Sequence, residues 1–152
     1  MEETQEKLLK RESVSIEISN NSTPFEDLDP EVRRAIDCAA DKKAANMVAL
    51  DLREIASFTE FFVIATGMNQ RQVQAIADEI REKLKEEFGA RAVRVEGYAT
   101  GEWVLLDFGD FIVHIFDKDA REFYDLERLW RDARRVDLGS YNEAGAGNHA
   151  AQ

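Results

Sequence analysis

Residues 103–116 read WVLLDFGDFIVHIF, two apolar runs about a Gly109-Asp110 pair, the pattern of a tight β-hairpin. Side chains alternate across a strand, so Trp103, Leu105 and Asp107 share one face while Val104, Leu106 and Phe108 share the other. In the partner strand Ile112, His114 and Phe116 share a face, and Phe111, Val113 and Ile115 lie opposite. Only the second set in each strand is free of polar groups. The pattern therefore places Val104, Leu106, Val113 and Ile115 against helices. It leaves Trp103, Leu105, His114 and Asp107 on a face with few helices to cover it. A sheet face that is part apolar and part acidic, with a tryptophan on it, has the make-up of a protein-binding surface. Spacing alone equally allows Trp103 to pack against a tail or a helix end.

Outward from the hairpin, the rest of the chain divides into short elements. Upstream, Ala92–Gly97 alternates as a third strand. Before it, Val73, Ile76, Ala77, Ile80, Leu84 and Phe88 step by three or four along one helical face, with Asn69 as N-cap and Gly89 at the left-handed stop. The opposite face is charged in both signs and reads as solvated, with Glu79 and Lys83 in the favourable order. Met47–Leu52 and Phe61–Ala65 read as strands separated by Arg53–Glu60, which is too short for another substantial helix. Asp29-Pro30-Glu31 opens a first helix carrying Val32, Ala35, Ile36, Ala39 and Ala40, with Asn46 as its stop. Downstream, Phe123, Leu126, Leu129, Trp130 and Ala133 predict one C-terminal helix. The expectation is an α/β single domain, a mixed sheet of about five strands with flanking helices.

Composition narrows the function. The chain has 152 residues, enough for one domain, and a formal net charge of −11. No run approaches the ~18 apolar residues of a membrane span. Nor is there the clustered Lys and Arg on which bulk nucleic-acid binding depends. The single cysteine, Cys38, cannot form an internal disulfide, and it sits among alanines in a helix, where a small core residue is wanted. The acidic start, MEETQEKLLKRE, resembles neither a secretory signal nor a transit peptide, so a cytoplasmic protein is expected. Residues 1–28 and 136–152 lack apolar periodicity and are expected to be a flexible acidic N-terminal extension and a flexible C-terminal tail around a domain at 29–135. The alternation Val14, Ile16, Ile18 would allow a short strand within the first of them.

Few residues invite catalysis. Asp107, Asp110, His114 and Asp117 form the one cluster resembling metal ligands or an acid–base set. Three of them have a simpler role: Asp110 belongs to a turn, Asp117 ends a strand, and His114 alternates as any strand residue does. HExxH, GxSxG, P-loop and GxGxxG patterns are all missing from the sequence. No metal and no cofactor is called for.

Taken together, AALDLREIASFTEFFVIATG, RQVQAIADEIREKL, EGYATGEWVLLDFGDFIVHIFD and REFYDLERLWRDA resemble the ribosomal silencing factor (RsfS, Iojap) family over roughly Leu28 to Ala133. One departure is Asn69, where the family often shows Ser; both cap a helix. The resemblance implies a nucleotidyltransferase-like fold without the catalytic signature, since Arg53 stands where Asp51 would need a second carboxylate. It implies binding to the large ribosomal subunit through that subunit's protein fourteen, which blocks joining of the small subunit and lowers translation when nutrients run short. Steric exclusion needs no catalytic residue. By motif position the strand carrying Trp103 is the contact, with Leu105 beside it and Asp107 and Asp110 opposing basic residues of the partner; His114 and Tyr98 are weaker candidates. Arg121, Tyr124 and Trp130 fall in the same motifs, but their helical spacing assigns them to packing. The acidic tails would repel rRNA, so little or no nucleic-acid contact is expected. Two other readings stay open: a Mg²⁺-dependent nucleotidyl- or phosphoryl-transfer enzyme built on residues 107–117, and a self-associating module whose open face forms a homodimer.

Overall fold

A computed structural model of the chain describes residues 22–139 and 141. The alternation at Val14, Ile16 and Ile18, and the outer parts of both expected tails, lie outside the described residues.

Pro30 fixes the first turn of helix α1 (Pro30–Asp41), with Asp29 at the N-cap position but making no side-chain capping bond. The helix ends before the expected stop. Lys43 takes a left-handed conformation (φ 65°), and Asn46 is instead a left-handed residue (φ 49°) within strand β1 (Ala45–Asp51), where the register shifts. Strand β2 (Phe61–Gly67) follows, and every one of its residues is buried. Helix α2 (Gln70–Phe88) has the caps its sequence spells out. The Asn69 side chain accepts from the Gln72 N–H, and Gly89 closes the helix at φ 65°.

Strand β3 is shorter than its alternation suggests, Arg94–Glu96. Strands β4 (Trp103–Asp107) and β5 (Phe111–Asp117) form the expected hairpin. Its turn is held by the Asp107 carboxylate, which accepts from the Gly109 N–H at 2.8 Å. The predicted C-terminal helix is broken into α3 (Lys118–Tyr124) and α4 (Leu126–Leu129) by Asp125 at φ 47°. A short strand β6 (Arg134–Arg135), not foreseen in the sequence, completes a six-stranded sheet of order β3-β4-β5-β2-β1-β6. The β2–β5 pair at its centre is parallel and every other pair antiparallel.

Parity decides the two cores. On one face α1 and α2 bury Val32, Ile36, Val73, Ile76, Ile80 and Leu84 against Val63, Val104, Leu106, Val113 and Ile115. Each fully buried aliphatic of this kind contributes roughly 1.5–3 kcal/mol relative to exposure. The opposite face is less open than expected. There Leu50, Phe62, Ile64, Ile112 and Phe116 are covered by Ala120 of α3, Leu126 of α4 and Leu52 of the loop that follows β1. Arg121 fastens α3 to the sheet, donating to Thr66 Oγ1 at 2.7 Å and Glu127 Oε1 at 2.9 Å.

The folded unit also runs past the expected limits of 29–135. Thr23 bridges Val136, and Leu28, Val136 and Leu138 are buried. The rings of Phe25 and Tyr141 lie 5.6 Å apart. Polar, proline-containing sequence at 22–28 hides this packing, because its apolar residues meet a partner segment distant in sequence rather than their own neighbours. No helix among the described residues is long and apolar enough to cross a membrane.

Candidate partner-binding face

Strand register brings Trp103, Leu105 and Asp107 of β4 opposite Phe116, His114 and Ile112 of β5, all on the face away from α1 and α2. Trp103 is half-buried and sits in a row of rings. From one end, centroid distances run Phe58–Trp130 5.8 Å, Trp130–Phe62 5.5 Å and Phe62–His114 4.6 Å. The row continues His114–Trp103 5.9 Å, Trp103–Tyr124 4.7 Å and Tyr124–Phe123 5.0 Å. Its middle is covered and its ends are open: Phe58 is 57 % exposed and Phe123 80 %. Leu129, 76 % exposed, joins Phe123 and Tyr124 in lining a groove of about 610 Å³.

Acidic groups edge this surface. Glu96 of β3 lies directly across from half-buried Leu105, and Asp107 follows on the same face. Arg94 draws near both carboxylates, 3.6 Å from Glu96 and 3.7 Å from Asp107, so the edge is only partly negative. Asp110 is exposed at the hairpin tip, where its carbonyl accepts from the Glu60 N–H.

Two of the expected contact residues stand elsewhere. His114 is 3 % exposed, because Phe62, Trp103 and Phe116 enclose it, and no partner can touch it without displacing them. Burial holds its imidazole at a pKa of about 3, far below the ordinary histidine value, so the ring is neutral. Nδ1 accepts the Trp103 indole N–H at 3.1 Å. Tyr98 packs on the α1–α2 side, where its hydroxyl donates to Asp78 at 3.0 Å.

Sequence reasoning missed Phe58, Phe123 and Leu129. Helical spacing assigns Phe123 and Leu129 to one buried stripe, and the left-handed residue Asp125 divides that stripe. The signal was the adjacency of Phe123 and Tyr124, since neighbouring helical residues lie ~100° apart and a narrow stripe cannot bury both.

The residues weighed as a metal or acid–base set are not brought together. Asp107 pairs with Ile112 near the start of β5, whereas Asp117 ends that strand, about 17 Å away at ~3.4 Å per residue. Asp117 caps α3 by accepting from the Ala120 N–H, Asp107 holds the hairpin turn, and His114 is buried between them. Among the described residues no group of three or more His, Cys, Asp or Glu is placed to hold a metal ion. Cys38 is buried in α1, and burial pushes its thiol up to about 11, which suits a packing role rather than a nucleophilic one.

Comparison with known proteins places this fold in one family. The family model described as "Ribosomal silencing factor during starvation" matches residues 26–152. The ribosomal silencing factor RsfS of Halalkalibacterium halodurans is 46 % identical over 104 residues, covering 68 % of this chain and 88 % of the relative. That of Bacillus subtilis is 44 % identical over 98 residues, covering 64 % and 82 %. A crystal structure from Bacillus halodurans superposes with a TM-score of 0.62 at 43 % identity, over 70 % of this chain and 96 % of the other. The chain belongs to the ribosomal silencing factor family.

Proposed function

We propose that this protein docks on the large ribosomal subunit through the face carrying Trp103 and Leu105, and blocks joining of the small subunit by occupying its place. One observation supports the reading most. The row of rings from Phe58 to Phe123 is anchored in the core yet surfaces at both ends, giving a rigid apolar centre of the kind that dominates binding energy. The contact implied by the family resemblance is ribosomal protein fourteen of the large subunit. Basic residues are common in ribosomal proteins, and Glu96, Asp107 and Asp110 would oppose them, speeding encounter and fixing register. A net charge of −11 disfavours direct contact with rRNA, so docking is protein on protein, in the cytoplasm. Steric exclusion asks nothing of a catalytic group, and the separation of Asp107 from Asp117 fits a role outside catalysis.

The test is co-sedimentation with isolated large subunits, together with an assay of subunit joining, for wild type and a folded Trp103→Ala. The reading expects wild type to bind and block joining, and Trp103→Ala to do neither. If both block joining equally, the function stands and the face is wrong. If wild type never meets the large subunit, the reading fails. Thermal stabilisation by nucleotide with Mg²⁺ would then favour a transferase.

A further inference from the structure

The buried imidazole of His114 is a poor choice for stability alone. Because Nδ1 accepts from the Trp103 indole, the ring's proton sits on Nε2. That Nε2 is buried and has no hydrogen-bond partner among the described residues. An unsatisfied buried N–H costs free energy that a phenylalanine of similar shape would not. The cavity around it is aromatic: Phe62 meets the ring edge-on at 4.6 Å, and Phe116 lies parallel at 6.3 Å. Phenylalanine would therefore suit every neighbour except one. The exception is the Trp103 N–H, for which Nδ1 is the acceptor.

Trp103 needs that acceptor for a geometric reason. It pairs with Phe116 across the hairpin and leans diagonally toward His114, while its ring lies against Tyr124, the link to the open end at Phe123. Stacking on Phe116 at 4.9 Å sets the separation of the two rings but, being non-directional within the plane, does not by itself fix where the indole edge points. A hydrogen bond at the indole edge removes that freedom. We propose that His114 is a positioning residue for docking, holding Trp103 by its N–H in the one orientation that presents the ring beside Tyr124 and Phe123. The inference rests on the reading that this face meets the partner. It replaces the expectation that His114 touches the partner itself.

Two substitutions separate the hydrogen bond from mere filling of space. His114→Phe keeps a ring and loses the acceptor. His114→Asn loses the ring and keeps an acceptor, Oδ1, close to the position of Nδ1. Each is read in two ways: by the indole N–H resonance of Trp103 in ¹H–¹⁵N NMR, assigned with Trp130→Phe, and by affinity for isolated large subunits. We expect His114→Phe to shift that resonance, abolish its protection from exchange and weaken docking about tenfold, while His114→Asn recovers most of both. In a Trp103→Phe background, which has no indole N–H, His114→Phe should weaken docking no further. Wild-type docking by His114→Phe overturns the proposal, as does a resonance that does not move. An equal loss in both backgrounds overturns it too, since that is what a purely structural role would give. Failure of wild type itself to bind large subunits is a distinct result, and it overturns the reading of the face together with the proposal.

Discussion

The Thr23 hydroxyl donates a 2.6 Å hydrogen bond to the buried Asp51 carboxylate, joining the segment before α1 to the end of β1. Asp51 also receives Arg53 through its backbone N–H at 3.0 Å and through its guanidinium at 3.0 and 2.9 Å. Burial by itself would raise this carboxyl, but the bonds from Arg53 and Thr23 outweigh it and hold the pKa below the usual aspartate value. Thr23→Val should therefore cost about 1–2 kcal/mol of unfolding free energy by urea titration. Asp51→Asn should cost more at neutral pH. The advantage of wild type is present above the unfolded-state pKa and is lost as pH falls through the lower folded value, so the two should converge in acid. A gap that widens in acid would count against this account.

His114 carries the opposite chemistry with the same sign. Unfolded, it takes up a proton near pH 6.5, whereas folded it resists protonation until about pH 3. Between those values the unfolded chain binds more protons, so stability falls as pH falls. From pH 7 to pH 5 the contribution of this one group is about 2 kcal/mol. Wild type should therefore lose that much more than His114→Phe over the interval. Parallel losses in the two proteins would mean that the imidazole is protonated within the fold.

Phe123 and Leu129 distinguish surface from core. Both are largely exposed, so Phe123→Ser and Leu129→Ser should change unfolding free energy by no more than about 0.5 kcal/mol. If the face docks as proposed, each should weaken large-subunit binding by about 1–2 kcal/mol, some five- to thirtyfold. Leu126→Ser, one turn away and buried, should do the reverse and be read first in thermal unfolding. Full-strength binding by both exposed variants would confine the contact to β4.

Two glycines with positive φ should respond very differently to alanine. At Gly97 (φ 77°) a Cβ would lie 1.9 Å from the Trp103 carbonyl oxygen, so the backbone leading into β4 must move. At Gly109 (φ 90°) a Cβ meets nothing within 4 Å, and only the conformational strain of roughly 1–2 kcal/mol applies. Gly97→Ala should be the more damaging of the pair in thermal unfolding, and should also disturb the Trp103 indole resonance. Equal behaviour would show that the β3–β4 connection relaxes freely.

Much of the fold was legible because local signals and tertiary demands agree. Asn69 and Gly89 bracket α2 as their chemistry dictates, and polar-free parity put Val104, Leu106, Val113 and Ile115 beneath the helices. Where the two disagree, the reading slipped. Arg134–Arg135 becomes a strand only because β1 offers an edge, and nothing in two arginines announces it. Asp125, left-handed at φ 47°, breaks a helix that apolar spacing would continue, and beyond the break Leu126 is buried and Trp130 half-buried. Of the candidate site, Trp103, Leu105 and Asp107 do share a face, as alternation requires. Burial of His114 was illegible for the same reason: alternation gives the face but not what lies on top of it.

The parallel pairing of β2 with β5 has a consequence for synthesis. Phe61 pairs with Phe111, so the centre of the sheet closes only after the intervening α2, β3 and β4 have been made. Closing so long a loop is entropically costly, and before it closes β2 has only its antiparallel pairing with β1. A chain that has left the ribosomal tunnel only as far as α2 has no central strand pair and none of Trp103, Tyr124 or Phe123. Most of the proposed docking face is thus made after the first four elements of the fold. If that face docks as proposed, a newborn chain acquires the means to hold a ribosome idle only after β4, α3 and α4 have been made.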